Sequence, residues 1–372
     1  MAKHIHIVSF SIPFPANYGG VIDVFYKIKS LYKAGVQITL HCFKYDREEA
    51  IELNEYCKEV FYYDRKMTGF QLASKLPFIV SSRTNQLLLS NLLKDSSPIL
   101  FEGLHTCALV NNPKLSERKR IIRSHNIEHD YYAQLATIES NFLKRFYFKA
   151  EAKKLKRFEE VAMSSADYIL GISKKDCQYL EKKYNKTIHV SAFHAYEKVE
   201  TPTETKPFAF YHGNLGVGEN NEAALFLVNS VFNKVDFPLV IAGNQPSKEL
   251  IKACENNSNV SLKPNTSSNE IETLLMIAHI NVLPTFQSTG IKLKLLSALF
   301  SGNHCLVNEP MVVGTGLESL VETANSSDEF ISEVIRLKDV GSIKATDSRV
   351  QILEPFTNKV VVSRIIDLLN EV

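Results

Sequence analysis

Short apolar runs alternate along this chain with longer stretches whose apolar residues recur every three or four positions. The first kind fits buried strands and the second amphipathic helices, and their alternation is the pattern of parallel α/β architecture. In the first half the apolar runs predict strands near His6–Phe10, Gln37–Phe43, Val60–Tyr63, Ile99–Glu102, Arg120–Ser124 and Tyr168–Ile172. Helical patterns lie between them, for example Val21–Ala34 and Leu143–Val161. Gly35 stands where the first of these helices must stop, a position that favours glycine. Glu197–Pro207 is polar and proline-bearing with no apolar period, and reads as a linker. After it the alternation restarts, with strands expected near Phe208–His212, Leu239–Ala242, Val260–Leu262, Ile280–Leu283 and Cys305–Val307. The pattern thus predicts two doubly wound, Rossmann-like parallel-sheet domains, residues 1–198 and 207–356, with ligands at the carboxyl ends of the strands.

Composition narrows the partners. A chain of 372 residues exceeds what one core ordinarily serves, in keeping with two domains. Hydrophobic content of 45% with 23% charged residues is that of a soluble globular protein. The net charge of +2 gives no global case for nucleic acid. Six cysteines (Cys42, Cys57, Cys107, Cys177, Cys254, Cys305) are scattered without a C-x-x-C pair, which predicts reduced thiols rather than a disulfide frame. The start, MAKHIHIVSF, lacks the pattern of a signal peptide, and no apolar run approaches a membrane span, so a cytoplasmic location is expected.

Chemistry concentrates in Leu283–Asn308, LPTFQSTGIKLKLLSALFSGNHCLVN. It reads as a strand end, a polar loop, Gly290 opening a helix, Gly302 closing it, and another strand. Lys292 and Lys294 fall in the first turn, where the helix dipole repels cations unless an anion is bound. Unpaired N–H groups at the same end suit a phosphate. An ordinary helix with two solvated lysines is the competing account.

Four other segments follow strand ends. SIPFPANYGG holds Gly19 and Gly20, which let backbone approach a ligand, or simply make a turn. YHGNLGVGENN holds Gly213, Gly216 and Gly218, a candidate phosphate cradle that departs from the dinucleotide pattern G-x-G-x-x-G. FEGLHTCAL places Glu102 and His105 where either can meet an acceptor hydroxyl or act as a base, against the reading of a cap and a buried histidine. RSHNIEHDYY places His125 at a strand end, with a helix expected to start near Ile127, capped by Asn126 and Glu128. Its H-x-x-E-H spelling matches a zinc-peptidase motif, but that chemistry needs both histidines on one helical face. In the segment Ser140–Val161, Phe142, Phe146, Leu155 and Phe158 can share a face amid lysines and arginines. A helix burying those aromatics is the simpler account, and a basic helix on an anionic membrane the alternative. No D-x-D pair follows any expected strand, so no metal site is expected.

Pro284, Gly290, Lys292, Lys294, Ala298 and Gly302 resemble the donor-binding segment of nucleotide-sugar glycosyltransferases with the two-domain B-type (GT-B) fold, of the retaining family 4, group 1 type. The resemblance implies two Rossmann-like domains facing a cleft, with the amphipathic segment Thr357–Val372 packed on the first. It implies a metal-independent glycosyltransferase of hexosyltransferase type, moving a sugar from a nucleotide-diphosphate sugar, its donor substrate, to a hydroxyl. Surface polysaccharide or glycolipid synthesis is the implied setting. The partners would be that nucleotide sugar and a glycan or lipid-linked acceptor, with peripheral contact at the inner face of a membrane. Gly213, Gly216, Gly218, Gly290, Lys292 and Lys294 would lie near phosphates, and Gly19, Gly20, Glu102, His105 and His125 on the acceptor side, His125 near the transferred sugar. The family's two glutamates, eight positions apart, are replaced by Thr289 and Ser297. A non-catalytic nucleotide-sugar or glycan-binding relative of the same fold is therefore the rival reading, with a nucleotide-sugar epimerase behind it.

Overall fold

In a computed structural model of the chain, residues 3–139, 141–200, 202, 204–286, 292–343 and 346–371 are described. They form two units: residues 3–193 with 358–371, and residues 194–286 with 292–357. Each is built on one all-parallel sheet.

The first unit has strands β1 (His4–Ser9), β2 (Gln37–Lys44), β3 (Glu59–Asp64), β4 (Ile99–Glu102), β5 (Arg120–Ser124), β6 (Tyr168–Gly171) and β7 (Thr187–His189), in the order 3-2-1-4-5-6-7. Six of these match the apolar runs; β7, at three residues, is too short to show a period. The order reverses between β1 and β4, the switch point where parallel sheets open a crevice at their carboxyl ends.

Both faces of the sheet are covered, which is why its strands are continuous apolar runs instead of alternating ones. On one face Ile5, Ile7, Ile38 and Leu40 pack against Val24, Ile28 and Leu31 of the helix Gly19–Lys33 and against Val361, Ile365 and Leu368 of the terminal helix Asn358–Asn370. The helix Gly19–Lys33 stops as expected at Gly35, whose φ is +79°. On the other face Val8, Phe101, Ile122 and Ile169 meet Leu155, Ala162 and Met163 of the long helix Phe142–Ser165. That helix does not bury all the aromatics its pattern suggested. Leu155 is buried and Phe158 packs on the core, but Phe142 and Phe146 are 74% and 68% exposed.

The second unit has β8 (Lys206–His212), β9 (Leu239–Gly243), β10 (Val260–Pro264), β11 (Ala278–Leu283), β12 (His304–Val307) and β13 (Glu322–Thr323), in the order 10-9-8-11-12-13. Lys206 and Pro207, read as linker, open β8; a proline at a strand start leaves few ladder bonds unmade. Pro264 ends β10, an edge strand, where a missing N–H is equally tolerated. The switch point lies between β8 and β11, so the loops after them share one sheet edge. Among the described residues no helix is long and apolar enough to cross a membrane.

Candidate active site

In the first unit the carboxyl edge of the sheet holds a buried, charge-balanced cluster. Asp23 and Lys27, one helical turn apart, face inward among Val24, Phe25, Ile28 and Leu31. Lys27 Nζ donates to both Glu102 oxygens, at 2.7 and 2.9 Å, and to Asp23 Oδ2 at 2.9 Å. Arg123, beside Glu102 in the β4–β5 register, donates to the two Asp23 oxygens at 2.9 and 3.2 Å and to the Ser191 carbonyl at 2.8 Å. The Phe193 amide adds a fourth bond to Asp23, at 2.9 Å. Burial works against ionising either carboxyl. For Asp23 the Arg123 and Lys27 charges win and hold it well below the usual range. For Glu102 the Lys27 ammonium and then the His125 bond also outweigh burial and lower its pKa.

This changes the part Glu102 can play. Expected as a base or acceptor ligand, it is 0% exposed and both oxygens are taken, so it cannot meet an acceptor hydroxyl. It braces His125 instead. His125 Nε2 donates to Glu102 Oε2 at 3.0 Å, while Nδ1 faces Asp23 Oδ2 at 4.0 Å. His125 does sit at the strand end, 13% exposed. His105 is driven well below its ordinary pKa by burial, with Arg83 adding to the effect, so it is neutral. Its Nδ1 has no partner among the described residues. Phe10 packs between the two histidines, with ring centroids 5.5 Å from His105 and 5.7 Å from His125. A Cβ on Gly20 would lie 2.7 Å from the Phe10 ring, so that glycine seats Phe10, and Gly19 begins the helix.

The H-x-x-E-H spelling does not form a metal site. His125 lies before the helix Glu128–Ile138, and His129 within it bonds Glu159 at 3.1 Å. The groups of three ligand-type side chains found among the described residues are Asp23–Glu102–His125 and His4–His6–Asp95. Lys27 and Arg123 already supply cations to the first. In the second, each histidine nitrogen is hydrogen bonded, to Ser97, Thr39, His41 or Asp95.

In the second unit the glycines serve close approach. A Cβ on Gly243 would fall 1.8 Å from the Gly213 carbonyl oxygen, so only glycine lets the end of β9 lie against the loop after β8. Added Cβ atoms would meet Asn220 at 3.0 Å from Gly213 and Gln245 at 2.7 Å from Gly216. Gly218 opens the helix Gly218–Phe226, with nothing within 4 Å of its missing side chain.

Around this loop stand the lysines. The helix after β11 is Leu293–Ser301, with Lys292 its cap residue and Lys294 in its first turn. Thr289 and Gly290 lie outside the described residues. Lys294 Nζ donates to Asn220 Oδ1 at 2.7 Å and sits 5.0 Å from the Tyr211 ring centroid. Burial lowers its pKa to about 8, opposed by Glu219 and helped by Lys292. Lys292 Nζ lies 3.4 Å from Glu219 Oε1, which also accepts from the Thr285 hydroxyl. His212, next to Lys294, is pushed by burial down to about 3, and its Nε2 has no partner among the described residues. Ser297, in the place of one family glutamate, donates to the Leu293 carbonyl at 3.0 Å and contacts the Tyr196 hydroxyl.

Sequence reading had not singled out Asp23, Lys27, Arg123, Tyr211, Glu219 or Asn220. For Asp23 and Lys27 a signal existed: opposite charges four apart on the apolar face of a helix. Glu219 and Asn220 sat inside a loop read for its glycines alone.

No protein-family model matches the chain. An uncharacterized 44.6 kDa protein in the cps region of Klebsiella pneumoniae is 27% identical over 348 residues, covering 89% of each chain. S. aureus TarM, in a structure carrying UDP, fondaparinux and alpha-GlcNAc-glycerol, superposes with a TM-score of 0.65 at 11% identity, over 99% of this chain and 100% of that one. The pneumococcal O-GlcNAc transferase GtfA, with UDP and GlcNAc, gives 0.66 at 10% identity, over 100% and 99%. With its two all-parallel Rossmann-like sheets, the chain has the B-type fold of these glycosyltransferases.

Proposed function

We propose that the protein is a glycosyltransferase that moves a sugar from a nucleoside-diphosphate sugar to a hydroxyl acceptor during polysaccharide or glycolipid assembly. The observation that carries this reading is Lys294. It is an ammonium at the carboxyl edge of the second sheet, desolvated enough to fall to about 8, whose hydrogen bond goes to a neutral amide. Such a group gains most from an anion that replaces lost water. Lys294, Lys292 and the amides of the Gly213–Gly218 loop would hold the diphosphate and stabilise it as it departs. Glu219, one helical position before Asn220, would supply the carboxylate that positions 289 and 297 lack. In the first unit His125, braced by Glu102, is the group for the acceptor side.

The fold shared with UDP-bearing transferases and the similarity to a protein of a cps region support the donor class and the setting. One observation favours the rival of a binding-only protein: Ser297 turns its hydroxyl into its own helix, so no acid stands there. A panel of nucleoside-diphosphate sugars, read by thermal shift and by nucleoside-diphosphate release, separates the two. A donor that stabilises and is slowly hydrolysed supports the transferase. Stabilisation without release, even with acceptors present, supports the binder, and no shift with any nucleotide refutes both.

A further inference from the structure

The start of the long helix carries an apolar surface left exposed among the described residues. Phe142, Leu143 and Phe146 are 74%, 76% and 68% exposed, and the first residue of this helix to be buried is Glu151. Contiguous exposed apolar groups of this kind mark an interaction site. Lys144, Arg145 and Lys149 are interleaved with them, and no acidic residue falls between Asn141 and Lys149.

The position follows from the hairpin that the two consecutive helices make. Glu128–Ile138 departs from the carboxyl end of β5 just after His125, and Phe142–Ser165 packs back along it. At 11 and 24 residues they run about 16 and 36 Å. Only the later part of the longer helix reaches the core, so its first turns form the outer tip of the hairpin.

We infer that this tip is a docking element for an anionic lipid bilayer. Phe142, Leu143 and Phe146 enter the boundary between headgroups and acyl chains, and Lys144, Arg145 and Lys149 meet lipid phosphates. Charge complementarity selects this occupant. Lysine is depleted at the core of protein interfaces, whereas basic residues flanking exposed aromatic and aliphatic groups are the composition of interfacial helices. Three side chains give weak, reversible, salt-sensitive attachment rather than anchoring. The inference rests on the first unit alone and stands whether or not the sugar chemistry is as proposed.

Vesicle cosedimentation of the full chain tests it, using phosphatidylcholine alone and phosphatidylcholine mixed equally with phosphatidylglycerol. The protein should pellet with the anionic vesicles only, and high salt should release it. Both F142S/L143S/F146S and K144E/K149E should bind at least about tenfold more weakly, with unchanged thermal unfolding because the side chains are exposed. The chain has no tryptophan, so F142W is a single reporter. Its emission should move to shorter wavelength on anionic vesicles and be quenched by brominated acyl chains. Wild-type protein left in the supernatant, or binding unchanged in the serine variant, would overturn the inference. So would a concentration-dependent dimer that the serine variant abolishes, which would give the patch to a second copy.

Discussion

The ammonium of Lys294 donates a 2.7 Å hydrogen bond to the side-chain carbonyl of Asn220. An exposed lysine loses little by such a bond, but this one is desolvated and its partner carries no charge. Glu219 is near enough to raise its pKa yet pairs with Lys292 and Thr285. The folded protein therefore keeps a partly unmatched charge, a cost that proteins retain at functional sites.

Replacing Lys294 by methionine removes that charge and keeps most of the side-chain volume. The folded state should gain about 1–2 kcal/mol at pH 7, less than the full shift from 10.5 to about 8 would imply because Lys294 is only half-buried. Denaturant titration of wild type and K294M measures this directly. A loss of stability would mean that the Asn220 and Tyr211 contacts outweigh the desolvation.

Glu219→Gln distinguishes a sugar-side carboxylate from a mere counter-ion of Lys292. Donor affinity should stay within about threefold of wild type while turnover falls by about tenfold or more, the pattern of an interaction made in the transition state. Tighter nucleotide binding with unchanged turnover would reduce Glu219 to charge neutralisation.

Lys27→Met should cost about 3–5 kcal/mol of folding stability, because it strands Glu102 beside His125 in a site with 0% exposure. His125→Ala should cost far less stability and should impair turnover. If K27M unfolds like wild type, the cluster is not the rigid base on which His125 rests.

Glu128 predicts a pH dependence. Burial first, and Glu159 second, raise its carboxyl from 4.5 to about 7. Between those values the folded protein holds a proton that the unfolded chain has released, so stability falls as pH rises through that window. The cost of ionising it in the folded state is about 3 kcal/mol, absent below pH 4.5 and fully present above about 7. Glu128→Gln, which stays neutral, should flatten the slope of stability between those pH values.

Much of the fold was legible because a parallel sheet buried on both faces leaves continuous apolar runs, and eleven of its strands are such runs. The two missed, Thr187–His189 and Glu322–Thr323, are short edge strands with no period to read. Of the candidate site, strand ends and glycines were readable, which put His125 and Lys294 at sheet edges in advance. What could not be read was which charges neutralise one another. Glu102 resembles a catalytic base until Lys27, from 75 positions away, is seen to occupy it. Periodicity also misled at Phe142 and Phe146, since an apolar stripe continues beyond the core it packs on when the helix outruns its sheet.

Whether Lys294 lines a nucleoside-diphosphate site is read from calorimetric titration of wild type and K294M with UDP and other nucleoside diphosphates. At least one diphosphate should bind wild type and bind K294M about 10- to 100-fold more weakly, the worth of one charge-assisted bond. Equal affinity in the two proteins, or no binding by wild type to any nucleoside diphosphate or its sugar, would mean that Lys294 holds no diphosphate.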